Sequence, residues 1–575
     1  MAEKELFKAG SKSVDSEFFS PLTKEYKAGK TKYIVITGSV ISGIGKGTLS
    51  SSLAKLLKDR GLKVAPIKAE AYWNVDAGTL NPFRHGEVFV LDDGTETDLD
   101  LGTYERFIDE NLSKDNFITS GRIYSEIIAK ERRGEYLGRD VQFIPHVTGE
   151  IKKYFRDLAV KSRADAVLIE IGGTVGDYEN LYLLEAVRQL IYEEGKENVC
   201  VINMTYIFAP KSLGEQKSKA AQLGIKKLVE IGILPDIIIC RGENPIRQNI
   251  REKISLFANV PMYRVIGLHD MSDFYSIPLK LREVGLDKEI FEVLKIPKRK
   301  LKGNGSTLKK WTEKMTLIKP KKTITIGIAG KYTGLRDSYI SILKALEHCE
   351  AELRVKINIK WIETTEIDTG KKSARQELNG VHGLIVPGGF GARGIEGKIE
   401  CVKYCREHNI PFLGLCLGFQ MALIEFARNV LGLKKANSTE FNQSCSPVID
   451  LLPEQKKLGA MGATMRLGGH DVEVKQGTNA FKLYGKKVIR ERFRHRYECN
   501  PEFIERFEEK GIVFSGKAPK KNIMQILELP KHKFFLATQF HPEFTSRPLR
   551  PNPCFYGFVK ACIQALGHNF SVFLG

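Results

Sequence analysis

YIVITGSVISGIGKGTLSSSLAKLLKDRGLKVAPIKA, residues 33–69, decides the fold of the first half of the chain. YIVIT is an unbroken apolar run of the kind found in strands buried on both faces. A glycine-rich loop follows. TLSSSLAKLLKDRG then puts Leu49, Leu53, Leu56 and Leu57 on one helical face and stops at Gly61. KVAPIKA reads as a second strand. Strand, glycine loop, helix and strand make a βαβ unit. Further strand patterns at ADAVLIEIGG, ENVCVINMTY and PDIIICR extend it into a doubly wound α/β domain over residues 31–295.

The loop itself, GSVISGIGKGTLS (38–50), misses the strict phosphate-loop pattern G-x-x-x-x-G-K-[ST]. Gly45 and Lys46 are in register, but Val40 stands where the first glycine belongs, and Gly47 separates Lys46 from Thr48. The setting still favours an anion. Glycine amides at Gly43, Gly45 and Gly47 can turn inward, the helix start adds its positive end, and Lys46 can reach outer phosphates. The alternative is a tight strand-to-helix turn that only needs glycine. A metal would need acids. Residues 85–102 carry Asp92, Asp93, Glu96, Asp98 and Asp100, most of them expected on solvated surface, since Mg²⁺ takes only one or two carboxylates. Glu170, at the carboxyl end of VLIEIGG, sits where α/β sheets bind ligands.

At 575 residues the chain is too long for one core. Its composition, 42% hydrophobic and 27% charged, excludes a largely disordered chain. No apolar run approaches the roughly 20 residues of a membrane span, and the first residues, MAEKELFKAGSKSVDSEFF, lack the apolar stretch of a signal peptide. The ten cysteines are scattered singly, which points to reduced thiols and a cytoplasmic protein. The net charge of +20 suits small polyphosphates as well as nucleic acid, and no nucleic-acid-binding motif accompanies it, so no nucleic-acid or membrane partner is expected. Residues 1–30 read as a loosely docked extension. Residues 296–322 are lysine-rich around Gly-Asn-Gly-Ser and read as a basic linker.

A fresh strand at TITIGIAGKY opens a second doubly wound α/β domain, residues 323–575. IPFLGLCLGFQMALIEFA sets Cys416 between Gly414 and Gly418, after an apolar strand and before an apolar helix. This is the cysteine form of the nucleophile elbow. The helix start favours the thiolate. In QFHPEF, His541 can take the thiol proton and Glu543 can hold the ring. In GLIVPGGFG, amides at Gly388 and Gly389 can join that of Leu417 as an oxyanion hole. The trio resembles the class I glutamine amidotransferases. That resemblance implies hydrolysis of L-glutamine through a glutamyl thioester, with Leu417, Gly418 and Phe419 lining the pocket and Gln420, Glu440 and Arg496 holding the charged end of glutamine. A phosphate loop and an ammonia source in one chain read together as an ATP- and glutamine-dependent amidoligase.

GSVISGIGKG, NVDAGTLNPFRHGEVFVLDDG, ETDLDLGTYERF, GRIYSEIIAKERRGEYLG, VQFIPHVT and EIGGTVGD together resemble the CTP synthase family, over roughly residues 31–565. That family's loop departs from the strict pattern in the same way. The resemblance implies phosphorylation of the uracil 4-oxygen of UTP by ATP, then displacement by ammonia that arrives through an internal tunnel. It casts Lys46 and Lys68 as catalytic, with Gly43, Ile44, Gly45, Gly47, Thr48, Asp100, His269, Asp270 and Met271 binding ATP, and Asp100 and Glu170 holding Mg²⁺. Ser42, Asp177, Tyr178, Glu179, Lys217, Ser218, Lys219, Ala220, Ala221, Gln222 and Lys253 would take UTP or the feedback inhibitor CTP. Arg393, Gly394, Glu396 and Arg466 would form the lid that couples the activator GTP to the glutaminase. A homotetramer is implied, and self-assembly into filaments stays open as an addition to catalysis.

Three departures from the family stand out. Glu70-Ala71 replaces Asp-Pro. Ser218, Ala220 and Ala221 replace Thr, Pro and Thr. Ser39 replaces a glycine of the loop, adding a side chain where backbone approaches nucleotide. Altered UTP or CTP affinity is the expected result. Two rivals remain: an amidoligase of this architecture with another substrate, and a basic nucleotide- or nucleic-acid-binding protein without catalysis. Intact Cys416, His541, Glu543, Lys46 and Glu170 oppose the second.

Overall fold

The computed structural model describes residues 19, 21–23, 25–212, 214–271, 273–297, 301–303, 305–331, 334–451 and 465–566. It divides into two compact units. The first comprises Met1–Thr79 and Thr103–Thr316, the second Leu80–Gly102 and Leu317–Gly575.

The first unit is built on seven parallel strands: β1 (Lys32–Gly38), β2 (Val64–Glu70), β3 (Phe117–Thr119), β4 (Ala166–Ile171), β5 (Val199–Tyr206), β6 (Ile237–Gly242) and β7 (Val265–His269), in the order β3-β2-β4-β1-β5-β6-β7. The first strands wind to one side of β1 and the last to the other. The order therefore reverses at β1, and a crevice opens beyond the carboxyl ends of β1 and β4. Helix α1 (Lys46–Asp59) returns from β1 to β2 and buries Leu49, Leu53, Leu56 and Leu57, the face the sequence spacing predicts. Helix α2 (Lys219–Glu230) follows β5. Part of the N-terminal extension is held down: the Phe19 ring lies 4.9 Å from that of His146, and Thr23 hydrogen-bonds Asp157.

The stretch 296–322 has linker composition, yet its residues Ser306–Thr316 form helix α3. Leu308, Trp311 and Met315 are buried, a stripe at i, i+3 and i+7 among lysines. Trp311 meets Phe107 edge-on at 5.5 Å, and Lys55 caps its ring at 4.8 Å. The lysines supply the outer face and mask the stripe in any composition count.

Among the described residues the main sheet of the second unit has nine strands: β8 (Lys322–Gly330), β9 (Val355–Glu363), β10 (Gly383–Val386), β11 (Phe412–Leu415), β12 (Arg466–Val474), β13 (Val488–His495), β14 (Val513–Lys517), β15 (Met524–Glu528) and β16 (Phe535–Thr538). The order is β9-β8-β10-β11-β16-β15-β14-β12-β13. The first five are parallel, and antiparallel pairing takes over from β16 to β13. Helices α4 (Ile395–Glu407) and α5 (Leu417–Asn429) pack on the parallel part. A short hairpin, Phe89–Val90 against Glu96–Thr97, belongs to this unit although it lies within the first half of the sequence. Among the described residues no helix is long and apolar enough to cross a membrane.

Candidate active sites

In the first unit the glycine loop leaves β1 at its carboxyl end and enters α1. Gly43 and Gly45 have φ of 68° and 94°. Val40 has φ of 80°, so the position where the strict pattern has glycine keeps the left-handed backbone and takes the strain of a β-branched residue there. No side chain caps α1, which leaves its first amides to an anion. Lys46 Nζ donates to the Gly173 carbonyl at 2.6 Å. A Cβ on Gly38 would come within 3.0 Å of the Lys46 chain and 3.2 Å of Ile44, so a larger residue there would press on the lysine. Ser39 does not enter the loop's interior. It is fully buried, its hydroxyl bonds Asn203 and Met204 of β5, and its Cβ occupies the space that Gly224 of α2 leaves open.

Glu170, at the end of β4, is buried and accepts a hydrogen bond from Tyr104. Lys68 pairs with Glu170 in register across β2 and β4, and its ammonium lies 2.9 Å from Glu70. Glu70 also reaches Gly172, where a Cβ would sit 2.5 Å from its carboxylate. The longer acid at position 70 is thus admitted by a glycine on the neighbouring strand end. His269 ends β7, and Asp270 pairs with Arg241 at 2.7 Å. Arg241 approaches Gly45 as well, with its Nε 4.0 Å from where a Gly45 Cβ would be. Arg241 and Tyr104 escaped the sequence reading. Only Arg241's place at a strand end marks it out.

Of the residues expected around UTP, Ser42 and Tyr178 are exposed, and Asp177 accepts from the Thr174 amide at 2.8 Å. Lys217 pairs with Glu215, and this bond, with Lys253 nearby, holds the Glu215 carboxyl below its ordinary range. Ser218 precedes α2 without a side-chain cap and accepts from Gln222, while Lys219, Ala220, Ala221 and Gln222 form its first turn. Ala221 is fully buried in an apolar cluster with Ile225 and Ile250, so this departure sits in a packed helix start.

In the second unit three adjoining parallel strands, β10, β11 and β16, end together. Beyond β11, Cys416 has φ 52° and ψ −96°, a strained elbow immediately before α5. Its amide donates to Thr538 at the end of β16 at 2.7 Å. Beyond β16, His541 Nδ1 lies 2.7 Å from Glu543 Oε1. Burial works against the imidazolium, but the Glu543 carboxylate and the Cys416 sulfur outweigh it and push the His541 pKa up to about 10. His541 Nε2 is buried, and the ring's interaction with the Cys416 sulfur is among the causes of its raised pKa. Beyond β10, a Cβ on Gly388 would come within 2.8 Å of the His541 ring and 3.6 Å of Cys416 Cβ. The glycine turn, thiol and imidazole are therefore in mutual contact. Gly389 borders Leu417, the first residue of α5.

Gln420 donates to the Tyr497 carbonyl at 3.0 Å. Phe419 lies wholly in the core, which leaves only its backbone to a ligand. Glu440 accepts from the Gly391 amide at 3.0 Å, and burial raises its pKa against the pull of that bond, Lys331 and Arg496. The expected lid is tied at its base. Asp368 accepts from the amides of Gly394 and Gly397 at 2.9 and 2.7 Å, while Arg393 donates to the Lys331 carbonyl and Glu396 pairs with Arg428. Arg466 pairs with Glu498 at 3.4 Å. Gln539, whose amide lies 3.7 Å from the Cys416 sulfur, and Lys398, buried in the first turn of α4 beside Gly389, went unnoticed in the sequence.

Two families match the chain, one described as CTP synthase N-terminus over residues 32–296 and one as glutamine amidotransferase class-I over residues 335–561. The CTP synthase of Pyrococcus furiosus is 51% identical over 534 residues, which cover 92% of this chain and 98% of the relative. That of Methanocaldococcus jannaschii is 49% identical over 538 residues, with the same coverage. Among solved structures, the glutaminase domain of Trypanosoma brucei CTPS with bound acivicin is 36% identical and matches with a TM-score of 0.40, covering 42% of this chain and 94% of that one.

Proposed function

The chain belongs to the CTP synthase family, and on that premise we propose that it converts UTP to CTP with ATP and with ammonia drawn from glutamine. The observation that carries the proposal is the contact of Cys416, His541 and the Gly388 turn at three adjoining strand ends, in one chain with an uncapped glycine loop and its lysine.

In the second unit, Cys416 gives its proton to His541 Nε2, and the sulfur attacks the glutamine amide carbon. The oxyanion meets the amides of Gly389 and Leu417. The C–N bond breaks as His541 returns the proton to the leaving ammonia. Water then hydrolyses the thioester, with His541 as base. Glu543 keeps the ring oriented. Glu440 takes the glutamine ammonium and Arg496 its carboxylate.

In the first unit, the loop amides and Lys46 bind ATP phosphates, and Lys68 steadies the transferring group. The uracil 4-oxygen accepts the γ-phosphoryl group, ammonia adds at that carbon, and phosphate leaves. Among the described residues no three metal-ligating side chains cluster, but Mg²⁺ takes only one or two protein carboxylates beside phosphate oxygens and water, and Glu170 and Asp100 would be the ones to hold it. When bound it neutralises phosphate charge. Lys217, Lys253 and Gln222 take the UTP phosphates, and CTP competes for them as inhibitor. GTP activation through Arg393 and Arg466, and a homotetramer, complete the reading. Exposed Trp73, Phe143 and Tyr178 support self-association.

The test is absorbance-monitored formation of CTP with ATP, Mg²⁺ and GTP, with glutamine or ammonium chloride as nitrogen source. Wild type should use both, and Cys416→Ala only ammonium. Failure of folded wild type to make CTP from either source overturns the UTP assignment.

A further inference from the structure

We propose that Glu96 is a positioning residue for the glutaminase, acting through Arg494 on the strand that fixes both Cys416 and His541. The inference rests on the reading of Cys416 as nucleophile given above.

The hairpin at residues 89–97 lies on β13, and alternate arginines of that strand clasp it. Arg490 grips Asp92 through two nitrogens at 2.9 and 3.1 Å. Arg492, almost fully buried, donates to the Val90 carbonyl at 3.0 Å and covers the Phe89 ring at 5.4 Å. Arg494 donates from Nε to Glu96 at 2.7 Å. The backbones come so close that a Cβ on Gly468 of β12 would lie 2.4 Å from the Gly94 nitrogen.

The same strand supports the catalytic pair from its backbone. The Arg492 carbonyl accepts from the His541 amide at 2.8 Å. The Arg494 carbonyl lies 3.7 Å from the Cys416 sulfur. The Arg494 guanidinium also covers the Phe390 ring, at 5.0 Å, in the glycine turn of the glutamine pocket. Glu96 thus holds a side chain whose backbone faces the nucleophile and whose cation covers a ring of the glycine turn.

The pairs differ along the ladder. Asp92 and Arg490 are 31% and 51% exposed, whereas Glu96 and Arg494 are 8% and 14% exposed. An exposed pair contributes little, while breaking a buried one leaves a charge without compensation. The inner pair is the one whose loss moves the strand.

The experiment compares Glu96→Gln, Glu96→Asp, Arg494→Lys and Asp92→Asn in the full chain. Readouts are glutaminase kcat and KM, alkylation of Cys416 by a chloroketone analogue of glutamine, and ammonium-dependent CTP formation. Glu96→Gln should lower glutaminase kcat and the alkylation rate about tenfold, with ammonium-dependent synthesis within about twofold of wild type. Glu96→Asp should recover part of the loss, and Asp92→Asn should change neither activity by more than about twofold. Should Glu96→Gln fail to fold, Arg494→Lys carries the same comparison. Unchanged glutaminase in Glu96→Gln, or parallel loss of both activities, overturns the proposal. If wild type makes no CTP with ammonium, the UTP reading falls, and the glutaminase and alkylation arms still decide the role of Glu96.

Discussion

Val40 and His541 show how single residues are held away from their ordinary states. Val40 keeps a left-handed backbone that costs a β-branched residue about 1–2 kcal/mol. Val40→Ala retains that cost and loses packing, whereas Val40→Gly removes it. The glycine variant should therefore unfold at higher denaturant than the alanine variant, by about 1 kcal/mol, the reverse of the usual loop ranking. His541 has its folded pKa raised from 6.5 to about 10. Its stabilisation is thus complete below pH 6.5 and is lost as pH rises through about 10. Glu543→Gln removes most of it, so the stability gap between wild type and variant, measured by denaturant melts, should be widest at acidic pH and close toward pH 10.

At the scale of elements, α3 and α4 each carry a side chain that defies its sequence context. Trp311 turns a lysine-rich stretch into a packed helix, and Trp311→Ala should destabilise the chain by about 3 kcal/mol in equilibrium unfolding. Lys398 is buried at the start of α4, where burial and the Lys331 charge pull its pKa down to about 7 despite the opposing Glu363 and Asp368. The unfolded chain holds that proton up to about pH 10.5, so wild-type stability rises between about 7 and 10.5. Lys398→Met should melt higher than wild type at neutral pH, with the gain shrinking toward pH 10.5. Both cases also mark what sequence can disclose. The βαβ unit and the Cys416 elbow were legible because periodicity and glycine spacing are local. Helix α3 was not, because its stripe has only three apolar positions among charges. Lys398 was not, because nothing local distinguishes a buried lysine from an exposed one.

At the scale of the whole molecule, two α/β units were legible from their strand patterns, as was the meeting of Cys416 with His541 and Glu543 from two separate motifs. The assignment of residues 80–102 to the second unit was not. They lie between strands of the first sheet, and the acids there read as a solvated cluster. Asp92 and Glu96 instead pair with arginines 398 positions further on. Gln539, Tyr104 and Arg241 were missed for a related reason: each matters through a partner distant in sequence, and no spacing rule reaches that far.

That same clasp sets a schedule for the chain's synthesis. A ribosome adding about 5–20 residues per second leaves Glu96 waiting roughly 20–80 s for Arg494 to emerge. During that interval the segment carrying Asp92 and Glu96 has no strand to lie on, while the polypeptide on either side of it is already free to collapse into the first sheet. The nascent protein must therefore keep a loop open in its earliest domain until its last third has been made.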